Sequence, residues 1–198
     1  VSSRGLGDVY KRQPTITSFT ANPSLLYLKT SDQTQTVTFT AIASDNVLID
    51  SITIPDSNLD SSDGSTYVFT KTYSYDDFDF GNTNETVTLT VTDSTGNTST
   101  DTANVAIQKL DDQDPAISSF TNDTTIANAI TLKTSDQSKT ITFTAIVSDN
   151  RAVTSVLLPT ATQTSSNNGT FTFTKDYDFN DYNYGSNSDT LTLSVSDA

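Results

Sequence analysis

The sequence predicts an all-β protein made of two tandem domains, each a two-sheet sandwich of short antiparallel strands. Three observations lead to this fold class: an internal repeat of about a hundred residues, an alternation of apolar and polar residues, and turn-rich segments between the alternating runs. No segment keeps a helical period for three turns. The predicted strands therefore have to bury their apolar faces against one another.

The internal repeat becomes visible when the chain is compared with itself at an offset of 104 residues. Segment 28–46 then aligns with segment 132–150, and 31 of the 66 positions from 28 to 93 are identical in 132 to 197. A repeat of this length indicates an array of domains. We expect domain 1 at residues 14–110, an acidic linker at 111–114, and domain 2 at 115–198.

The alternation has a period of two, which is typical of half-buried strands. In TVTFTAIA (36–43) and TVTLTVTD (86–93), apolar side chains occupy one face and threonine the other. Domain 1 is expected to have seven strands, near 15–20, 35–43, 47–54, 56–60, 66–73, 85–92 and 101–108. Because Ala198 aligns with Ser94, domain 2 is expected to lack its last strand and to be less stable than domain 1.

The first 13 residues, VSSRGLGDVYKRQ, differ from everything that follows. They hold three of the ten basic residues and have no counterpart in the second copy. They resemble the in-frame translation of a short-read sequencing adapter, and an ordinary basic linker is the alternative. We expect residues 1–13 to be an artefactual or disordered leader outside the fold.

The composition restricts the possible functions. A net charge of −14 argues against nucleic acid and anionic membranes as partners, and it suits a hard cation bound by oxygen ligands. The chain has no Cys and no His, which removes thiolate and imidazole metal ligands and the nucleophile systems that depend on His. No apolar run reaches the length of a membrane span. The sequence therefore predicts a protein that is not an enzyme.

The segment VTLTVTDSTGNTSTDTANVAI (87–107), followed by the acidic junction LDDQDPAI (110–117), resembles the last hairpin of bacterial immunoglobulin-like and cadherin-like repeats. Such repeats build large secreted surface proteins, and the resemblance covers residues 14–198. It implies seven-strand immunoglobulin-like β-sandwiches, an extracellular or cell-surface location, and neighbouring repeats of the same chain as partners.

The same resemblance implies a calcium site at the junction. In cadherin-like arrays the ligands come from the linker, the loop after the second strand of the next domain, and the start of its last hairpin. Calcium takes 6 to 8 oxygen ligands. The matching residues in this chain are Asp111, Asp112 and Asp114 in the linker, Asp149 and Asn150 in the loop, and Asp197 at the hairpin. The alternative is that these residues only accept hydrogen bonds from amides in turns.

Domain 1 retains the matching residues Asp45, Asn46 and Asp93, but the residues ahead of Pro14 are VYKRQ rather than an acidic linker. The sequence therefore predicts one calcium site in this chain and not two.

The leading functional hypothesis is a non-catalytic stalk or spacer of a secreted bacterial surface protein or adhesin, stiffened by calcium at the junction. The repeated aromatic segments YSYDDFDFG (73–81) and YDFNDYNYG (177–185) leave a carbohydrate-binding accessory module of a polysaccharide-degrading enzyme as the alternative. Glycans or a cell surface would then be partners. An immunoglobulin-like decoration of a phage virion is a further possibility.

Overall fold

The computed structural model describes residues 12–124 and 128–198. The chain divides into two compact units, with unit 1 ending at Leu110 and unit 2 running from Asp111 to Ala198. Residues 1–11 of the predicted leader lie outside the described residues, so the expectation about them stays a prediction.

Unit 1 consists of eight strands. They are β1 (Thr15–Asn22), β2 (Leu25–Leu28), β3 (Thr34–Ser44), β4 (Ile49–Thr53), β5 (Asn58–Ser62), β6 (Thr66–Ser74), β7 (Gly81–Asp93) and β8 (Thr98–Lys109). One sheet has the order β1-β3-β6-β5 and the other β2-β8-β7-β4. This is the strand arrangement of an immunoglobulin-like sandwich, with the first strand of the fold divided between the two sheets.

The alternating faces predicted from the sequence are the buried faces of unit 1. Val37, Phe39 and Ala41 of β3 are fully buried, and Leu89 and Val91 of β7 face them from the other sheet. The threonines between them lie on the outer faces, where they are partly or fully exposed. Burial of this stripe supplies the hydrophobic stabilisation of unit 1.

The strand count differs from the prediction because of β2. Its four residues pair in parallel with Ala106–Lys109 of β8, and Leu26 and Leu28 are both 1% exposed. Four residues are too few to display a period, and a short strand at a sheet edge is set by its neighbour rather than by its own sequence. The prediction of seven strands in domain 1 was therefore short by one.

Unit 2 repeats the architecture with six strands in the part of the chain that the structure describes. They are β9 (Ala116–Asn122), β10 (Ser138–Ser148), β11 (Val153–Leu157), β12 (Thr162–Asn167), β13 (Thr170–Asp178) and β14 (Ser194–Asp197). One sheet has the order β12-β13-β10-β9, and β11 pairs with β14 in the second. The predicted fold class is confirmed: two tandem immunoglobulin-like β-sandwiches, the second without a counterpart of the last strand among its described residues.

The core of unit 2 is more open than that of unit 1. Ile141 and Phe143 are each 8% exposed, whereas the aligned Val37 and Phe39 are fully buried. Leu191 and Leu193 are only partly buried against this core, although the aligned Val87 and Leu89 are buried. Unit 2 therefore gains less from apolar burial.

This difference predicts that the chain unfolds in two steps, with unit 2 unfolding at the lower urea concentration. Phe39→Ala should shift only the later transition, by roughly 3–5 kcal/mol, as is typical for a fully buried Phe. Phe143→Ala should shift only the earlier transition and by less, since its surroundings are already open to water. Circular dichroism during urea unfolding measures both. Equal shifts in one common transition would contradict the prediction.

Candidate metal site

Strand register brings three separate segments of unit 2 to one end of its sandwich. Ala116, at the start of β9, pairs with Ser148 at the end of β10, so the entering chain lies beside the loop after β10. Val153, at the start of β11, pairs with Asp197 at the end of β14. The loop 149–152 therefore lies next to both the entering chain and the last strand.

Three carboxylates meet at this end. Asp111, Asp149 and Asp197 each contribute one carboxylate oxygen, and these oxygens lie within 4.8 Å of one another. All three residues are partly buried. The structure thus brings together one residue from each of the three predicted ligand sources, which we call the carboxylate cluster.

The other predicted ligands lie outside the carboxylate cluster. Asp112, Asp114 and Asn150 are exposed. Asp112 and Asn150 directly follow members of the cluster, and Asp114 lies three residues after Asp111. The linker contributes one inward-facing carboxylate rather than three.

The oxygens of the carboxylate cluster are poorly satisfied by the protein. Both Asp111 carboxylate oxygens are buried and have no hydrogen-bond partner among the described residues. Oδ1 of Asp149 accepts hydrogen bonds from the backbone N–H groups of Arg151 (2.7 Å) and Ala152 (2.8 Å), while its Oδ2 is buried without a partner. Burying a carboxylate oxygen without a hydrogen-bond donor costs free energy of folding, and a bound cation commonly offsets that cost.

Arg151 supplies a positive charge at the edge of this end. Its guanidinium donates to the backbone carbonyl oxygen of Ala198 at 2.9 Å, next to Asp197. The aligned residue in unit 1 is Val47, so the repeat itself gave no reason to include Arg151 in the predicted site. The guanidinium partly offsets the clustered negative charge but leaves the unpartnered Asp111 oxygens in place.

The donor set fits a hard divalent cation. Three carboxylates offer oxygen ligands only, and the chain contains no thiolate or imidazole that would favour zinc or copper. Asp111, Asp149 and Asp197 would hold calcium, with backbone carbonyls and water completing the 6 to 8 oxygens it requires.

Unit 1 satisfies the residue that corresponds to Asp197 in a different way. Oδ1 of Asp93 accepts hydrogen bonds from the backbone N–H groups of Thr95 (2.8 Å) and Asn97 (2.9 Å), and Oδ2 accepts one from Asn97 Nδ2 (2.7 Å). Burial acts to raise the pKa of Asp93, but the hydrogen bonds from Asn97 and Thr95 outweigh it and lower the pKa to about 2. This carboxylate organises the β7–β8 hairpin.

A lysine–carboxylate pair recurs in both units and was not predicted. Lys71 Nζ lies 2.6 Å from Glu85, and Lys175 Nζ lies 2.7 Å from Asp189, with lysine side chains 14% and 15% exposed. Burial raises the pKa of the adjacent Tyr73 and Tyr177 hydroxyls, and the neighbouring carboxylate adds to the shift. The 104-residue offset aligns all three positions, so conservation of charge between the copies was the available signal.

The aromatic segments form ring pairs rather than a continuous strip. In unit 1, Tyr73 packs with Phe78 and Tyr75 with Phe80, each at 6.2 Å between ring centroids, and both tyrosines are buried. Each segment ends at a glycine with positive φ, +109° at Gly81 and +111° at the corresponding glycine of unit 2, a conformation that other residues rarely adopt. The rings of unit 1 are part of its core.

The hydrogen bonds of Asp93 generate a pH-dependent prediction. The pKa of Asp93 in the folded state lies below the value of about 3.9 for an unfolded Asp, so the folded state stabilises the ionised carboxylate over the protonated one. This stabilisation is complete above about pH 4 and is lost as the pH falls through about 2. Asp93→Asn should therefore lower the stability of unit 1 at neutral pH and reduce its loss of stability in acid. Urea unfolding between pH 7 and pH 2, with the exposed Asp76→Asn as control, measures both effects; an unchanged pH dependence in Asp93→Asn would refute the assignment.

Within the described ranges, no helix has the length and apolar character needed to cross a membrane. No protein-family model matches the chain, and no curated protein matches its sequence. Among solved structures, the extracellular cadherin domains 1–4 of protocadherin gamma B7 are similar at a TM-score of 0.29 and 12% identity, over 86% of this chain and 69% of that one. A likeness at these values carries no argument about function.

Proposed function

We propose that the chain is a non-catalytic spacer of a secreted surface protein, in which calcium bound by the carboxylate cluster fixes the entry of unit 2. Support comes from the tandem sandwiches, the strongly acidic composition and the lack of His and Cys. Its partners in this role are neighbouring repeats of the same chain, and its location is extracellular or at the cell surface.

One observation carries the proposal: the buried carboxylate oxygens of Asp111 have no hydrogen-bond donor among the described residues, and one of them lies within 4.8 Å of a carboxylate oxygen of Asp149 and of Asp197. A residue that only organises a turn uses at least one oxygen as an acceptor: both oxygens of Asp93 accept hydrogen bonds, and so does Oδ1 of Asp45. Asp111 uses neither oxygen as an acceptor among the described residues, and one of the two belongs to the carboxylate cluster. A divalent cation satisfies the oxygens and removes the repulsion.

The expected effect of calcium follows from Coulomb energies. Two unit charges about 4 Å apart repel by roughly 4 kcal/mol at an effective dielectric constant of about 20, so the cluster opposes its own closure when no cation is bound. Bound calcium makes the electrostatic energy of the cluster favourable, and it joins Asp111 to the loop after β10 and to the end of β14. The linker 111–114 then has fewer accessible conformations, which is the physical basis of a stiffer spacer.

The composition of the carboxylate cluster also indicates its affinity class. It has three carboxylates and an exposed margin, unlike the enclosed sites of high-affinity calcium buffers. Extracellular modules bind calcium with dissociation constants on the order of 10⁻⁴–10⁻³ M, and we expect this range here. Such a site is filled in extracellular fluids and empty in the cytosol.

The ring geometry favours the spacer over a carbohydrate-binding module. Stacking on sugars requires exposed ring faces, and in unit 1 the tyrosines of the aromatic segment are buried while Lys109 Nζ lies 4.0 Å from the centroid of Tyr75. Tyr184 of unit 2 is 93% exposed, but it is paired edge-on with Phe179. A glycan array that detects binding lost in Tyr184→Ala would reverse this preference.

Asp149→Asn provides a test in which the sign of the effect depends on calcium. The amide keeps Oδ1 as an acceptor for the N–H groups of Arg151 and Ala152 but removes one negative charge from the cluster. Without calcium the variant should be more stable than the parent, because repulsion is relieved. With calcium it should be less stable and should bind the ion at least about tenfold more weakly, a loss of about 1.4 kcal/mol. Calorimetric titration and melting in calcium or chelator measure these quantities.

The matched control is Asp45→Asn, the corresponding change in unit 1, where Oδ1 accepts the backbone N–H of Val47 in the same way. Its effect should be independent of calcium. If Asp149→Asn changed stability equally in calcium and in chelator, the residue would have only a structural role and the calcium site would be refuted.

The spacer role can be tested separately from ion binding. Small-angle scattering of the whole chain should show a narrower distribution of interatomic distances in calcium than in chelator, because the linker is held. Calcium binding by calorimetry with unchanged scattering would retain the site and eliminate the stiffening.

A further inference from the structure

The outer face of the sheet β2-β8-β7-β4 in unit 1 carries no charged residue on β2, β7 or β8, although the chain has a net charge of −14. Its outward residues are 25 and 27 on β2, the even-numbered residues 82–92 on β7, and the even-numbered residues 98–108 on β8. Most of them are threonines, but one end of the face carries amides, a leucine and an aromatic ring. We call this end the amide patch, and its members are Leu25, Tyr27, Asn82, Asn84, Asn104 and Gln108.

Strand register places the members of the amide patch side by side. Tyr27 of β2 pairs with Gln108 of β8, and Gln108 pairs with Asn82 of β7. The next row on the same face has Leu25 at one end and Asn84 at the other. Because neighbouring strands lie about 4.8 Å apart, the aromatic ring and the outermost amide of a row are separated by roughly 10 Å.

The side chains of the amide patch are accessible on a fixed backbone. Leu25 and Tyr27 are 45% and 47% exposed, and Asn82 and Asn84 are exposed as well. The backbone of Tyr27 is held by its pairing with β8 and by Gln35, whose Nε2 donates to the Tyr27 carbonyl oxygen at 2.7 Å. A ligand therefore meets a ring and amides that are already in position, which reduces the entropy lost on binding.

The aligned residues of unit 2 are an internal control. In the places of the aromatic ring and the two outer amides, unit 2 has Thr131, Ser186 and Ser188. Elsewhere on this face the copies agree, and Thr88 recurs as Thr192. Threonine and serine are thus sufficient where a strand face only has to be solvated. The ring and the amides of unit 1 exceed that requirement.

We propose that the amide patch binds a neutral oligosaccharide, which gives unit 1 a binding activity besides its role in the spacer. The Tyr27 ring packs against the apolar C–H face of a sugar ring, and its hydroxyl remains free for a hydrogen bond. A primary amide donates and accepts at once, so Asn82 and Gln108 pair with neighbouring hydroxyl groups of the sugar. The patch uses no residue of the aromatic segment 73–81 and none of the carboxylate cluster.

Charge and polarity select this class of ligand. The negative charge of the chain repels anionic polysaccharides, and the amide patch has no charged group with which a charged ligand could pair. A protein partner fits less well, because the centre of a protein interface is built from apolar and aromatic side chains that become fully desolvated. The amide patch offers one ring and one leucine among amides, and each amide would need a new hydrogen-bond partner.

The test is a glycan array of neutral and anionic oligosaccharides probed with the full 198-residue chain. The parent should bind neutral oligosaccharides, equally in calcium and in chelator, so the result is independent of the proposed calcium site. Tyr27→Thr and Asn82→Ser, which introduce the residues of unit 2, should each weaken binding at least about tenfold. The control Tyr184→Ala, which removes the exposed ring of unit 2, should bind like the parent.

Because Tyr27 and Asn82 point outward, neither variant should change the urea unfolding of unit 1, so a loss of binding cannot be ascribed to misfolding. Nuclear magnetic resonance shifts with a bound neutral oligosaccharide should be confined to 25–28, 82–84 and 104–108. The proposal is overturned if only anionic oligosaccharides bind, if none binds, or if Tyr27→Thr binds like the parent. Sedimentation that shows a dimer dissociated by Tyr27→Thr would also overturn it, because the amide patch would then bind a second copy.

Discussion

Strand register is the constraint on which the rest of unit 2 depends, because it forces three carboxylates together that would separate if they were free. The β9–β10 pairing fixes the entering chain beside the loop after β10, and the β11–β14 pairing fixes that loop beside Asp197. The hydrophobic burial of the strands is thus what opposes the repulsion among Asp111, Asp149 and Asp197. Because these carboxylates repel one another when no cation is bound, a cation bound between them would increase the stability of unit 2.

The two units act as controls for each other, since they share sequence but differ at their ends. Asp93 and Asp197 occupy the same position, yet the hairpin of unit 1 saturates Asp93 with hydrogen bonds from Thr95 and Asn97. The loop residues Asp45 and Asp149 use one oxygen in the same turn, and each leaves the other oxygen buried without a donor in the part of the chain that the structure describes. The difference that matters is Asp111, which has no acidic counterpart ahead of Pro14.

The sequence was sufficient for the architecture because the period of two is a direct consequence of strand geometry, and the buried stripe of Val37, Phe39 and Ala41 follows it. It was insufficient for β2, whose parallel pairing with β8 is a tertiary contact that a four-residue segment cannot encode alone. For the candidate site, the resemblance to cadherin-like repeats indicated the three contributing segments. It could not distinguish Asp111 from Asp112 and Asp114, because the linker has no alternation to indicate which side chain faces the fold.

We propose that Asp111, Asp149 and Asp197 bind one calcium ion together. The most direct measurement is the anomalous scattering of the chain crystallised in calcium. We expect a single peak in unit 2, with carboxylate oxygens of all three residues at about 2.3–2.6 Å from it. A crystal grown at saturating calcium that shows no anomalous peak at this end of unit 2, or only a calcium ion bound by exposed carboxylates elsewhere, would contradict this proposal.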